Sequence, residues 1–235
     1  MKQVLRIILC AFALSQSPLV HAENALSTTI TAGYQSRYVL YGYHLSSHLY
    51  MTDIYLYYPL NEKVSAWGGS WFGYQSGGTY SEIDVYGGVD YSVNANLTAG
   101  LAYSLFNYLD VPFETDDQVS EFAVHLTATA GPLTFELRNH YDTGAEGHLL
   151  RGVLYTGHQL NEKLALNLKA EAGYAFDYFI DGNAWNHADL RLSAPYQATE
   201  SVSINPYIAR SIALEAIDSF EKDETYGGIS VSYAF

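Results

Sequence analysis

Cysteine occurs once in the 235 residues, as Cys10. It lies inside a leader-like segment, so the rest of the chain has neither a disulfide nor thiol chemistry. No 18 consecutive residues are apolar, which excludes a helical membrane span. Bases are scarce, 11 Lys and Arg against 25 Asp and Glu. Two of them, Lys2 and Arg6, belong to the leader, leaving nine bases against the same 25 acids. A chain this acidic is no partner for nucleic acid. Helical periodicity is missing too, as are a Gly-x-Ser-x-Gly elbow and a calcium-loop pattern with its glycine.

What is present begins with the leader. Lys2 and Arg6 precede an apolar run from Ile7 to Leu14, and Val20-His21-Ala22 meets the small-residue rule for cleavage. Residues 1–22 therefore read as a signal peptide, and 23–235 as one domain. That domain alternates apolar and polar side chains with period two, the signature of a pleated strand with one greasy face. Its last segment is the clearest: Ile229, Val231, Tyr233 and Phe235 share one face, and Gly228, Ser230, Ser232 and Ala234 the other.

Twelve such segments are predicted, near 26–40, 48–58, 64–74, 81–93, 97–107, 119–130, 133–142, 148–160, 164–176, 185–196, 201–214 and 223–235. The count is even, as a closed single-chain barrel with both ends on one side requires. Links after even strands are short, such as Asn94-Ala95-Asn96 and Gly131-Pro132, whereas those after odd strands are mostly longer and more acidic. Leu-Asn-Glu-Lys stands at two short links, 60–63 and 160–163, and reads as shared turn chemistry. The 22 tyrosines suit rings that settle at lipid headgroups. The fold class expected is all-β: a transmembrane antiparallel up-and-down β-barrel of about 12 strands.

Charges test the register. Glu82, Asp84 and Asp90 oppose Ile83, Val85 and Val89, and Lys169 and Glu171 oppose Leu166, Leu168 and Ala170. The polar face then turns to the lumen, and the expected pore-lining set is Arg37, Asp53, Tyr55, Glu82, Asp84, Asp90, Glu121, Glu136, Arg138, His140, Lys169, Glu171, Asp189 and Arg191. Trp67, Trp71 and Tyr86 are candidates for the same face. A wall with acids in excess disfavours anions; side chains that paired across the lumen would instead plug it.

The stretch Ser36-Arg37-Tyr38-Val39-Leu40-Tyr41-Gly42 after Thr31-Ala32-Gly33-Tyr34-Gln35, the segment Glu82 to Gly88 and the ending Gly227 to Phe235 together resemble a family of proteobacterial outer-membrane porins of largely unassigned function, marked by an early Ser-x-Tyr-x-x-Arg-Gly motif. Tyr41 stands where that motif has arginine, so no role of that arginine transfers. The terminal strand is similar to the signal that outer-membrane barrels present to their assembly machinery, which would make Tyr233 and Phe235 biogenesis residues.

Other chemistry is thinly supported. His140 and Asp142 lie two apart on one strand and form the best candidate cluster for a barrel enzyme acting on lipid. His44 and His48 fall in a first long loop, and His125, His140 and His187 are candidates for the inner face, without compact metal-ligand spacing. The acidic stretches 114–117 and 218–224 read as solvated. No catalytic residue, metal or cofactor is expected. The expectation is an outer-membrane channel for passive diffusion of small solutes, with cation or neutral preference, its partners being the bilayer, lipopolysaccharide and the assembly machinery. The rival is a closed barrel that binds through its loops.

Overall fold

The structure is a computed structural model that describes residues 26–113 and 116–235. The leader read in residues 1–22 lies outside them. The described residues are all strand, turn and loop, with no helix. The strands are β1 (Ser27–Leu40), β2 (Tyr43–Pro59), β3 (Val64–Gln75), β4 (Ser81–Asn94), β5 (Leu97–Asp110), β6 (Gln118–Ala130), β7 (Leu133–Asp142), β8 (Gly147–Gln159), β9 (Ala165–Phe176), β10 (Asn183–Ser193), β11 (Tyr196–Gln197), β12 (Val202–Ala213) and β13 (Glu224–Ala234).

Strands β1 to β10 pair antiparallel with their neighbours in sequence, β12 pairs with β10, β11 and β13, and β1 pairs with β13, which closes the cylinder. β11 is the continuation of β10 beyond Ala194-Pro195. Proline has no N–H to give the ladder, but Pro195 still accepts from the Ala165 N–H at 3.1 Å and Tyr196 resumes pairing with Ile204. The barrel therefore has twelve staves. Closure leaves no sheet edge unpaired, the condition for crossing hydrocarbon with strands.

The outside is apolar. Ile54, Val85, Val89, Leu101, Phe122, Val124, Leu126, Phe135, Leu190 and Ile208 are all exposed, while Glu82, Asp84, Glu121, His140 and Glu171 are buried. A soluble protein has the opposite arrangement. The exposed face suits lipid, and the inward face carries the charge. Leu101 and Val124 face each other in register on the outer surface of β5 and β6.

Short turns and both described chain ends lie at one end, here the turn end. Leu-Asn-Glu-Lys does build the same turn twice. Asn61 Oδ1 accepts from the N–H groups of Lys63 and Val64 at 2.8 and 2.9 Å, and Asn161 Oδ1 from those of Lys163 and Leu164 at 2.9 and 3.1 Å. The opposite, loop end carries 76–80, 111–113, 116–117, 143–146, 177–182 and 214–223.

One link at the loop end departs from the expected pattern. β1 and β2 are joined by Tyr41 and Gly42 alone, with φ of 52° and 89°. Two residues with positive φ make the tight hairpin turn that matches strand twist. His44 and His48, expected in a long loop, are therefore strand residues of β2. The second strand, expected to begin only at residue 48, after polar Ser46-Ser47, starts at Tyr43, because the ladder continues through them.

Candidate functional site

The interior of the barrel is the candidate site. All fourteen residues expected to line it sit on inward-facing positions: Arg37 on β1, Asp53 and Tyr55 on β2, three acids on β4, Glu121 on β6, Glu136, Arg138 and His140 on β7, Lys169 and Glu171 on β9, and Asp189 and Arg191 on β10. Glycine makes room for some of them. Tyr86 on β4 crosses β3 over Gly69 and donates to Asp53 Oδ1 on β2 at 2.6 Å. A Cβ on Gly69 would lie 2.6 Å from that hydroxyl.

The charges divide by wall. On β7 to β10 bases and acids are interleaved and paired. Arg151 Nε lies 2.6 Å from Glu171 Oε1, Lys169 Nζ 2.6 Å from Glu171 Oε2, and Arg138 Nε 3.1 Å from Glu136 Oε1. Arg191 on β10 instead lies over the Tyr207 ring at 3.5 Å, and on β1 Arg37 pairs with Glu224. On β2 and β4 no base intervenes. Asp53, Glu82 and Asp84 have no ion pair among the described residues, and Asp90 meets only His125, at 3.0 Å. Tyr80 donates to Glu82 Oε2 at 2.5 Å, leaving Glu82 Oε1 and Asp84 Oδ1 buried with no protein partner.

The loop end is filled by side chains and by the β1–β2 hairpin, which bends inward. A bulge between Tyr38 and Val39 starts the bend. At the tip, the Tyr41 carbonyl accepts from Asn186 Nδ2 at 2.7 Å and the Tyr41 hydroxyl donates to Glu121 Oε1 at 3.4 Å. Arg151 lies 4.5 Å from the Tyr41 ring centroid, and the His140 ring 5.3 Å. Above this sits an apolar layer of Leu149, Ala175, Tyr178, Ala216 and Ile217, packed by Tyr41, Tyr43 and Ile180. Glu221 of loop 214–223 accepts from the His44 N–H at 3.3 Å, and its partial burial raises its carboxyl above the usual range.

Arg151, Asn186 and Tyr41 escaped the sequence reading. On β8 both faces are apolar, Leu149 and Val153 inward and Leu150 and Leu154 outward, so period two marks no side for Arg151. A bulge between Trp185 and His187 turns Asn186 into the barrel, and no alternation signals a bulge.

The chemistry available is that of a polar wall. His140 does not engage Asp142. Its Nδ1 faces Glu121 Oε1 at 2.7 Å and its Nε2 faces Arg151 at 3.1 Å, while Asp142 accepts the N–H groups of Gly144 and Ala145 at 2.8 Å each. No serine enters that set. Glu171, His187 and Asp189 lie close enough to hold a metal ion, yet their bonding opposes it. Asn186 Nδ2 has one hydrogen for Tyr41 and one for His187 Nδ1 at 3.0 Å. His187 Nδ1 therefore accepts, Nε2 carries the proton toward Glu171 at 3.2 Å, and no ring nitrogen is free to ligate. Of the acidic stretches, 114–115 lies outside the described residues, and in 218–224 Asp223 and Glu224 are tied to Arg210 and Arg37. Tyr233 and Phe235 are exposed at the turn end with rings 4.7 Å apart.

No family model and no curated protein matches this sequence. Solved structures do match in fold. The KdgM porin is 10% identical with a TM-score of 0.55, covering 89% of this chain and 99% of its own. An outer-membrane channel from Pseudomonas putida F1 is 12% identical at TM-score 0.56, over 94% of this chain and 100% of that one. The NanC porin is 13% identical at TM-score 0.56, over 88% and 98%. At these identities the likeness is one of fold: the chain is an outer-membrane-type β-barrel.

Proposed function

We propose that this barrel is an outer-membrane channel through which small hydrophilic solutes diffuse passively, with a preference for cations or neutral molecules. Residues 1–22 would direct export and 23–235 form the barrel, with the loop end facing outward and Tyr233 and Phe235 read by the assembly machinery. The observation that carries the reading is the inward face itself. It carries acids and bases on the inside of a cylinder whose outside is apolar, a lining that suits water and hydrophilic solutes. The preference for cations rests on Asp53, Glu82 and Asp84, which stand without a base while Arg37, Arg138, Arg151 and Lys169 are paired.

Several of the similar structures are named as porins or channels, which agrees with the reading. The filled loop end favours a second one, a closed barrel that binds ligands or lipopolysaccharide through its loops. Single-channel current in a planar bilayer under a salt gradient separates them. A channel gives discrete currents with a cation-selective reversal potential, and replacing Glu136 and Arg138 by small neutral residues changes conductance or selectivity. A folded barrel that stays silent, with its loop-end contacts intact or removed, is the closed binder.

A further inference from the structure

We propose that the β1–β2 hairpin tip is a movable plug, held in the lumen by Asn186 and Arg151 and able to leave it as a unit. The inference rests on the channel reading and concerns how that channel closes.

Three features make the tip a two-state element. First, ladder pairing between β1 and β2 runs out to Leu40 and Tyr43, so the tip is an intact hairpin in either position. The bulge at Tyr38 and Val39 supplies a place to bend, with Leu45 unpaired opposite it. Second, the contacts that hold Tyr41 come from distant strands: Asn186 on β10, Glu121 on β6, His140 on β7 and Arg151 on β8. The polar ones amount to one good hydrogen bond, one long one and a ring against a guanidinium, each a modest net gain over water, and Tyr41 and Tyr43 add packing against the apolar layer.

Third, the ion pairs of the wall do not involve the tip. Glu121 keeps His140 at 2.7 Å, His140 keeps Arg151 at 3.1 Å, and Glu171 keeps Arg151 and His187 at 2.6 and 3.2 Å. Withdrawing Tyr41 strands no buried charge. Asn186 loses its acceptor and Glu121 the long bond from the Tyr41 hydroxyl, and both would then face an open lumen and water. The tip also leaves a clean surface behind, because Gly42 presents no side chain to Ile217 and His187. A Cβ there would stand 2.7 and 2.8 Å from them. A plug that is closely fitted, tied by few polar bonds and not needed by the ion pairs of its seat has two accessible positions.

The test uses Leu149, fully buried on β8 within the apolar layer against which Tyr41 packs. Leu149→Cys is placed in the full chain with Cys10→Ser and labelled by a small hydrophilic maleimide, with folding checked by heat-dependent gel mobility. Labelling should be slow with the native tip and faster by up to about tenfold with Asn186→Ala, the factor that one net hydrogen bond is worth. Tyr41→Ala should exceed it, and Tyr41→Phe should stay near the native rate. Tyr41→Ala lies in a turn rather than the wall, so a folded barrel remains to be read if Asn186→Ala fails to fold. Unchanged protection of the introduced thiol in folded Asn186→Ala and Tyr41→Ala barrels overturns the plug, whatever the currents. Faster labelling with no current in any of them overturns the channel reading and upholds the moving tip.

Discussion

Tyr86 donates its hydroxyl hydrogen to Asp53 2.6 Å away, across a strand to which neither residue belongs. The bond ties β2 to β4 on the base-free wall, and it depends on Gly69 in the strand between. Tyr86→Phe leaves the half-buried Asp53 carboxylate short of a donor, at a cost of about 1–3 kcal/mol. The urea midpoint of the folded barrel in lipid vesicles should fall accordingly. Gly69→Val, which blocks the path of the ring, should fall at least as far, and an unmoved midpoint in both would remove the crossing from the stability of this wall.

Arg151 holds the paired wall together. Arg151→Met leaves Glu171 with Lys169 and His187, and His140 without its donor. Breaking a buried pair of this kind costs about 3–5 kcal/mol. Lys169→Met should cost far less, because Lys169 is the more exposed partner and Glu171 keeps Arg151. Equal losses in the two variants, read by the same unfolding experiment, would contradict this ranking.

The two faces of the barrel should answer a new base differently. Val124→Arg puts charge in the lipid-facing band and should destabilise by about 2–4 kcal/mol if it lies at the bilayer midplane. Thr31→Lys puts it inward, in register with Asp53, and should cost much less. Comparable losses would mean that the faces have been assigned wrongly.

The repeated turn should behave as one unit of chemistry. Asn161→Ala removes an acceptor for two N–H groups and should cost about 0.5–1.5 kcal/mol, and Asn61→Ala the same. Thr199 plays the equivalent part before Val202, with longer bonds of 3.3 and 3.1 Å. Thr199→Asn should therefore be neutral or stabilising in thermal unfolding, and a loss would show that this third turn differs.

Strand membership, the inward or outward side of most charges and the chemistry of Leu-Asn-Glu-Lys were legible in the chain because each is a local property. Period two assigns a face without knowledge of any neighbour, and an Asn turn is closed within four residues. Where the local signal is flat, the reading stopped: on β8, apolar on both sides, and at Asn186, reoriented by a bulge. The first hairpin reads as a long loop in the sequence because its polar Ser46-Ser47-His48 run resembles one.

The sequence by itself determined that this protein is a barrel with an apolar exterior and a charged interior, since alternation repeated along the chain admits few other ways of hiding a greasy face. Only the tertiary structure decided which charges neutralise one another and where the first hairpin goes. Arg151 meets Glu171 across 20 residues of chain, and Asn186 meets Tyr41 across 145. The first depends on the diagonal register of β8 against β9 and the second on register summed around the closed cylinder, and period two states neither.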